Sequence, residues 1–331
     1  MQLDYLLDKI RATVRSHELG KGIYARYLWQ NPDGTRKMGA NEYGCADAAN
    51  ILYILGDMPR NLDVRQAFIR QLQQFQNPDT GLFWEGSHHT LHCTAHCIAA
   101  LELFDAGPLY PLIGLEKYKH VGTLVDLLEN LDWRYNAWSQ AHQGAGIFAA
   151  MILTGNASSQ WQDHYFHWLD THTDPEYGMS KIGTIYPEEY PVCSHLNGWF
   201  HYLFNYSFAH RPFPCAEQLI DTVMDLYQND NLSNEFGIRT GFREIDWVFT
   251  LNRATMDTGY RRGEAKKLIR DFAEKYIPAM EAIDSETDDR WNDLHMLFGT
   301  ACALAELQIA LPGELASRFP LKQVLDRRPF I

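Results

Sequence analysis

Six short clusters of polar and aromatic residues recur along the chain, each opening an apolar stretch. They are Tyr43-Gly44-Cys45-Ala46-Asp47, His88-His89-Thr90-Leu91-His92, Trp138-Ser139-Gln140-Ala141-His142, Cys193-Ser194-His195-Leu196-Asn197, Arg243-Glu244-Ile245-Asp246-Trp247 and Trp291-Asn292-Asp293-Leu294-His295. One marker from each, at 47, 92, 142, 195, 246 and 293, gives intervals of 45, 50, 53, 51 and 47 residues. A period near fifty residues over six units constrains the fold to a repeat architecture, with room for two helices and two loops per unit.

Each unit divides the same way. The runs Ala46 to Leu55, Thr94 to Phe104, Gly144 to Leu153 and Leu297 to Leu311 are small and apolar almost throughout. Such runs predict inner helices, buried on most sides. The runs Val64 to Phe75, Val121 to Leu131, Trp161 to Leu169, Ala216 to Tyr227 and Glu264 to Tyr276 carry one apolar stripe and one polar face. They predict an outer layer. Leu3, Leu6, Leu7, Ile10 and Val14 recur at helical spacing between Gln2 and Ser16 and supply a sixth outer helix. Asn77-Pro78-Asp79-Thr80-Gly81 and Asp174-Pro175-Glu176-Tyr177-Gly178 close outer helices with turn chemistry. Strands are expected only in connections, such as Gly22 to Trp29 before the Asn31-Pro32-Asp33-Gly34 turn. No Ser- or Pro-rich linker is visible. The expectation is one all-α domain over residues 1–331, with six inner and six outer helices.

The run Gln76-Asn77-Pro78-Asp79-Thr80-Gly81-Leu82-Phe83-Trp84, followed by Thr94-Ala95-His96 and Ala99-Ala100-Leu101, resembles the repeat of terpenoid cyclases and protein prenyltransferases. The period and pattern resemble the (α/α)6-toroid superfamily more widely, including six-hairpin glycosidases, polysaccharide lyases and sugar epimerases. That resemblance implies a ring of inner helices inside a ring of outer ones, with the site in a funnel at the N-terminal ends of the inner helices. Fold alone does not set activity, so function rests on the residues there.

Composition narrows the classes. With 46% hydrophobic and 21% charged residues, the chain can bury a large core and is not of disordered type. A net charge of −13 disfavours a nucleic-acid surface. Apolar runs such as Ile147 to Leu153 fall well short of the roughly 18 residues of a membrane span. No secretory signal pattern opens the sequence. Six cysteines without a CxxC pair point to a reduced, cytoplasmic protein. The partner expected is a small saccharide, with no nucleic acid, membrane or cofactor.

Within the clusters, Asp246 and Asp293 come from neighbouring units and are the candidate acid and nucleophile or base, with Asp47 in reserve. Glycoside hydrolysis needs two such carboxylates. Helix capping is the alternative use for each. His142 and His195 are candidate proton-transfer groups, the residues that elimination or epimerisation would need instead. His92 and His295 are expected to hold hydroxyls. Tyr43, Trp138, Trp199, Trp247 and Trp291 are candidates to stack on sugar rings, core packing being the alternative. Arg243 is a candidate fork for a uronate carboxylate, unless it pairs with Glu235, Glu244 or Asp257. His88, His92 and His96 share a helical face, but they spread over two turns without an HExxH motif, and no metal site is expected. Asp284-Ser285-Glu286-Thr287-Asp288-Asp289 departs from the DDxxD and DxDD patterns of terpenoid enzymes and reads as a solvated loop. Gly144 and Gly146 read as close-packing positions. The leading expectation is a glycoside hydrolase acting on a short saccharide. A saccharide lyase, a sugar epimerase, a prenyl-binding toroid and a non-catalytic glycan- or peptide-binding toroid are the alternatives.

Overall fold

Four of the six clusters lie inside the first turns of helices rather than ahead of them, and those at 88–92 and 291–295 straddle a helix start. In the computed structural model, which describes residues 1–331, the helices are α1 (Asp4–Ser16), α2 (Glu42–Leu55), α3 (Leu62–Gln74), α4 (Thr90–Glu102), α5 (Val121–Asn130), α6 (Ala137–Leu153), α7 (Ser159–His172), α8 (Val192–Phe208), α9 (Ala216–Gln228), α10 (Arg243–Thr258), α11 (Arg262–Ala282), α12 (Leu294–Ala310) and α13 (Val324–Arg327). The inner helices begin three to seven residues before the apolar runs that predict them. The reason is local: their first turns carry polar residues, such as Glu42, His92, Gln140 and His295, that interrupt the apolar pattern. The only sheet is a hairpin of β1 (Glu18–Gly20) and β2 (Ile23–Tyr24). No helix is long and apolar enough to cross a membrane.

Even-numbered helices α2 to α12 are buried nearly all round, whereas α1, α3 and the following odd-numbered helices bury a stripe. Every residue of α4 from Leu91 to Leu101 is buried, against only Phe68 and Leu72 in α3. Helix α2 packs on α4, α4 on α6, α6 on α8, α8 on α10 and α10 on α12, and α12 in turn packs on α2. The closing contact is reinforced at the entry to both helices. The Leu28 and Trp29 amides donate to Asn292 Oδ1, and the Leu294 amide donates to the Arg26 carbonyl. One contiguous apolar core runs from Leu3 to Ile331.

Two repeated devices hold this arrangement. The exits from α3, α7 and α11 use one turn: the side chains of Asn77, Asp174 and Asp284 each accept the amide two residues on. These side chains replace backbone partners lost where each helix stops. The Asp284 run is accordingly a helix exit, with Asp289 paired to Arg36. The second device is glycine at the crossing of successive inner helices. A Cβ on Gly146 would stand 2.9 Å from the Leu91 carbonyl oxygen, one on Gly198 2.6 Å from that of Ala137, and one on Gly299 2.4 Å from that of Gly241. The obstacle is rigid backbone, so Gly198→Ala must spread α8 from α6. We expect a loss of about 1–3 kcal/mol, from the range for overpacking a tight core. Urea denaturation checks it, and an unchanged midpoint would show that the helices do not depend on this approach.

The last residues turn inward. Phe330 and Ile331 are buried, and Asn205 Nδ2 donates to the Pro329 carbonyl at 3.0 Å. Phe330 meets Phe204 and the His92 ring at 5.8 and 4.9 Å between centroids. Arg328, fully buried, donates to Asn50 Oδ1.

Candidate functional site

Imidazoles from four inner helices converge between them: His88, just before α4, with His92 and His96 on it, then His142 from α6, His201 from α8 and His295 from α12. On α4 the fourfold spacing stacks His88 on His92 at 4.8 Å between centroids. The same spacing places His142 one turn along from Trp138, and His201 one turn along from Asn197.

Asp47 anchors one half of the cluster. Its Oδ1 accepts from His96 Nε2 at 2.8 Å and from His295 Nδ1 at 3.1 Å. Burial alone would raise this carboxyl, but the two imidazoles more than offset that and hold it below the usual carboxylate range. Burial in turn pushes His295 down to about 4 and lowers His96. Asp47 is therefore the anion, and both imidazoles are neutral donors toward it. His295 Nε2 makes no protein hydrogen bond. Tyr43 lies across the group, stacked on His88 at 4.7 Å, with its hydroxyl 2.5 Å from His92 Nδ1.

The other half has fewer protein hydrogen bonds. His201 Nδ1 hydrogen-bonds the Asn197 carbonyl at 2.9 Å. His142 Nε2 is buried without a partner. Burial pushes His201 down to about 4 and lowers His92 and His142 well below their usual value.

At the N-terminal ends of α8 and α10 opens a polar cavity of about 680 Å³, lined by Ser194, Asn197, Asp230, Asn234 and Arg243 among others. Arg239 pairs with Glu235 and Arg253 with Glu306 and Asp326. Arg243 has no carboxylate partner, and its guanidinium lies over the Trp138 ring at 5.5 Å. Its neighbour Phe242 packs on the His295 ring at 4.5 Å.

The candidate residues thus separate. Asp47, Tyr43, His92, His142 and His295 come together, and Arg243 and Trp138 stand beside the cavity. Three tryptophans need correction. Trp199, Trp247 and Trp291 have no exposed surface. Trp199 packs on Tyr202, Trp247 packs on Tyr227 and donates to the Val223 carbonyl, and Trp291 lies under the Lys9 ammonium. Rings this size at helix junctions fill the space between layers and cannot stack on a sugar.

The carboxylate pair also needs correction. Asp293 is engaged by Arg26 through both oxygens, at 2.8 and 2.9 Å, and caps α12 through the His295 amide at 3.0 Å. Asp246 is fully buried with neither oxygen partnered, and burial, with Glu244 adding to it, pushes its carboxyl well above the usual range. Glu244 itself is pushed up to about 7 by burial. His195 stands apart with both ring nitrogens buried and unpartnered, its nearest ring being Tyr190.

Sequence reasoning missed His201 and Arg26. The Asn197–His201 spacing repeats that of Trp138–His142 and could have flagged the first. Arg26 sits in a connection with no pattern to mark it. No family model matches the chain, and comparison with curated proteins and with solved structures returns no match.

Proposed function

We propose that the chain is an (α/α)6 toroid and a carbohydrate-active enzyme that moves protons on a short, uronate-containing saccharide by elimination or epimerisation. The observation that carries this reading is the Asp47–His295 couple. A buried carboxylate fixes the tautomer of an imidazole whose second nitrogen is free, the arrangement that orients a general base. The closed order of inner-helix contacts and the alternation of buried and half-buried helices support the toroid.

In this reading Arg243, free of any protein carboxylate, takes the uronate carboxylate, and Trp138 supports the ring beside it. Binding by a guanidinium disperses the charge that develops when the adjacent C–H proton leaves. His295 Nε2 accepts that proton. For elimination, the C–H electron pair forms the ring double bond as the glycosidic C–O bond breaks. The leaving oxygen takes a proton from His88, whose ring is 5.2 Å from His295 between centroids. No water is consumed. For epimerisation a proton returns to the opposite face instead.

A second reading is hydrolysis with Asp246 as the acid, favoured by its neutral, unpartnered carboxyl.

The test is an assay with uronyl disaccharides, following ultraviolet absorbance of the unsaturated product and isotope exchange at the carbon next to the carboxylate. Turnover or exchange is expected with uronates and not with neutral sugars. Arg243→Ala should lower kcat/KM by roughly 10–100-fold, the worth of a charged hydrogen bond. Equal rates on neutral and uronate substrates would overturn the assignment of Arg243.

A further inference from the structure

The other half of the cluster has no place in this proton-transfer chemistry. We propose that His92, His142 and His201 bind a divalent late first-row transition-metal ion of the zinc class. This inference does not depend on the substrate reading above.

The three side chains come from successive inner helices, α4, α6 and α8, so rigid elements position each one. One donor atom of each lies within 4.8 Å of the other two. A tetrahedral zinc site needs nitrogens about 3.4 Å apart, given bonds of about 2.0–2.1 Å. Small rotations of the rings close that difference. The outer nitrogens are already held. His201 Nδ1 donates to the Asn197 carbonyl at 2.9 Å, which leaves Nε2 with its lone pair free. His92 Nδ1 meets the Tyr43 hydroxyl at 2.5 Å, so its Nε2 edge is free. Metal-bound histidines characteristically anchor their second nitrogen on such a partner. His142 Nε2 is buried and unpartnered, a defect that an ion would remove.

The surroundings suit a cation. The rings next to the triad are Tyr43, His88, His96, Phe200, Phe204 and Phe330. The phenylalanines cover one side, and His88 lies 4.8 Å from His92 and 6.4 Å from His142 between centroids. Three neutral imidazoles leave the ion its full charge and a fourth position for water or an anionic oxygen. Nitrogen donors select zinc, cobalt, nickel or copper over magnesium and calcium. The second compact group, Asp47 with His96 and His295, is a weaker candidate. The imidazole nitrogens facing Asp47 there already donate to it.

The experiment uses the untagged full chain, stripped with a chelator, then loaded with zinc or cobalt and desalted. Mass spectrometry should find about one ion per chain, and cobalt should give the visible absorption of a tetrahedral site. His142→Ala and His201→Ala should bind at least 100-fold more weakly and lose the rise in Tm that metal gives the wild type. His142→Gln keeps more of the volume and covers the case in which the alanine variants misfold, judged from circular dichroism of the metal-free forms. Tyr43→Phe removes only the partner of His92 Nδ1 and should weaken binding by about 10–100-fold. Asp47→Asn should still take up one ion. Substoichiometric metal in the wild type would overturn the site, as would wild-type affinity in folded His142→Gln and His201→Ala. Loss of binding in Asp47→Asn alone would move the ion to the other group and overturn this assignment.

Discussion

Metal-free protein loses on the order of 5 kcal/mol of stability, and roughly 5–10 °C of Tm, between pH 6.5 and pH 4.5. The cause is the buried histidine population. Burial pushes His195, His201 and His295 down to about 4 and lowers His92, His96 and His142. In the unfolded chain each titrates near 6.5. Below that value the unfolded state takes up protons that the folded state refuses, so stability falls as pH falls. Each imidazole adds a slope of up to about 1.4 kcal/mol per pH unit. Four carboxyls act the other way, Glu42 and Asp257 among them, each raised chiefly by burial. Glu244, pushed up to about 7, and Asp246 hold protons in the folded state that the unfolded chain has released, so their contribution declines as pH rises. With His17 and His89, which burial also lowers, eight imidazoles oppose four carboxyls, and the net sign is loss in acid. Asp47, held below its usual range, adds a further loss at still lower pH. Urea denaturation of chelated protein at pH 7.5, 6 and 5 measures the slope. His195→Leu should flatten it by one group without lowering stability at pH 7.5, because both nitrogens it removes are unpartnered. A flat profile would mean that the cluster is open to water.

The helical organisation was legible because burial leaves a composition signature. An inner helix such as α12 is apolar on every side and an outer one such as α9 on one, and the fifty-residue period set their alternation. Helix starts were illegible at α6 and α8 for the same reason that makes them interesting. Trp138, His142, His195 and Asn197 belong to the helices but sit at the polar end, where the apolar pattern fails. Within the site, Asp47 and the histidines other than His201 were found by type and spacing. Their division of labour was not, since it depends on contacts between units. Nothing in the one-dimensional order pairs Asp293 with Arg26, 267 residues away, and not with a substrate. The tryptophans misled because residue type alone does not separate a ring that fills the space between layers from a ring that lines a cavity. Trp138 is the second residue of α6, at its end, whereas Trp247 is the fifth of α10 and lies within its buried span.

Asp47→Asn should lower kcat on the true substrate by about 10²–10⁴-fold, the range for disabling an acid–base group, and leave the fold intact. Asp47 Oδ1 is the atom that both imidazoles use, and Oδ2 is buried without a partner. An asparagine can keep the oxygen at the first position and put its amide at the second. Shape survives, but the charge that favours an imidazolium on His295 is gone. Asp47→Ala is harsher. It strands two buried imidazole N–H groups and removes an anion whose charge favours the buried Arg26 and Arg328 guanidiniums, at a cost of about 3–5 kcal/mol. The carboxylates of the hydrolytic reading give the contrast. Asp246→Asn replaces a carboxyl that must release its proton in a dry site as pH rises, so it should stabilise the protein at neutral and alkaline pH. Proton transfer through His295 predicts that this variant keeps its rate, while hydrolysis through Asp246 predicts that it is inactive. Asp293→Asn should weaken the Arg26 pair and lower Tm, with its effect on rate secondary to that. Measuring the three asparagine variants side by side, for kcat and for Tm, separates the two chemistries. A dead Asp246→Asn beside an active Asp47→Asn would assign the reaction to the carboxyl and leave the Asp47 couple a packing device.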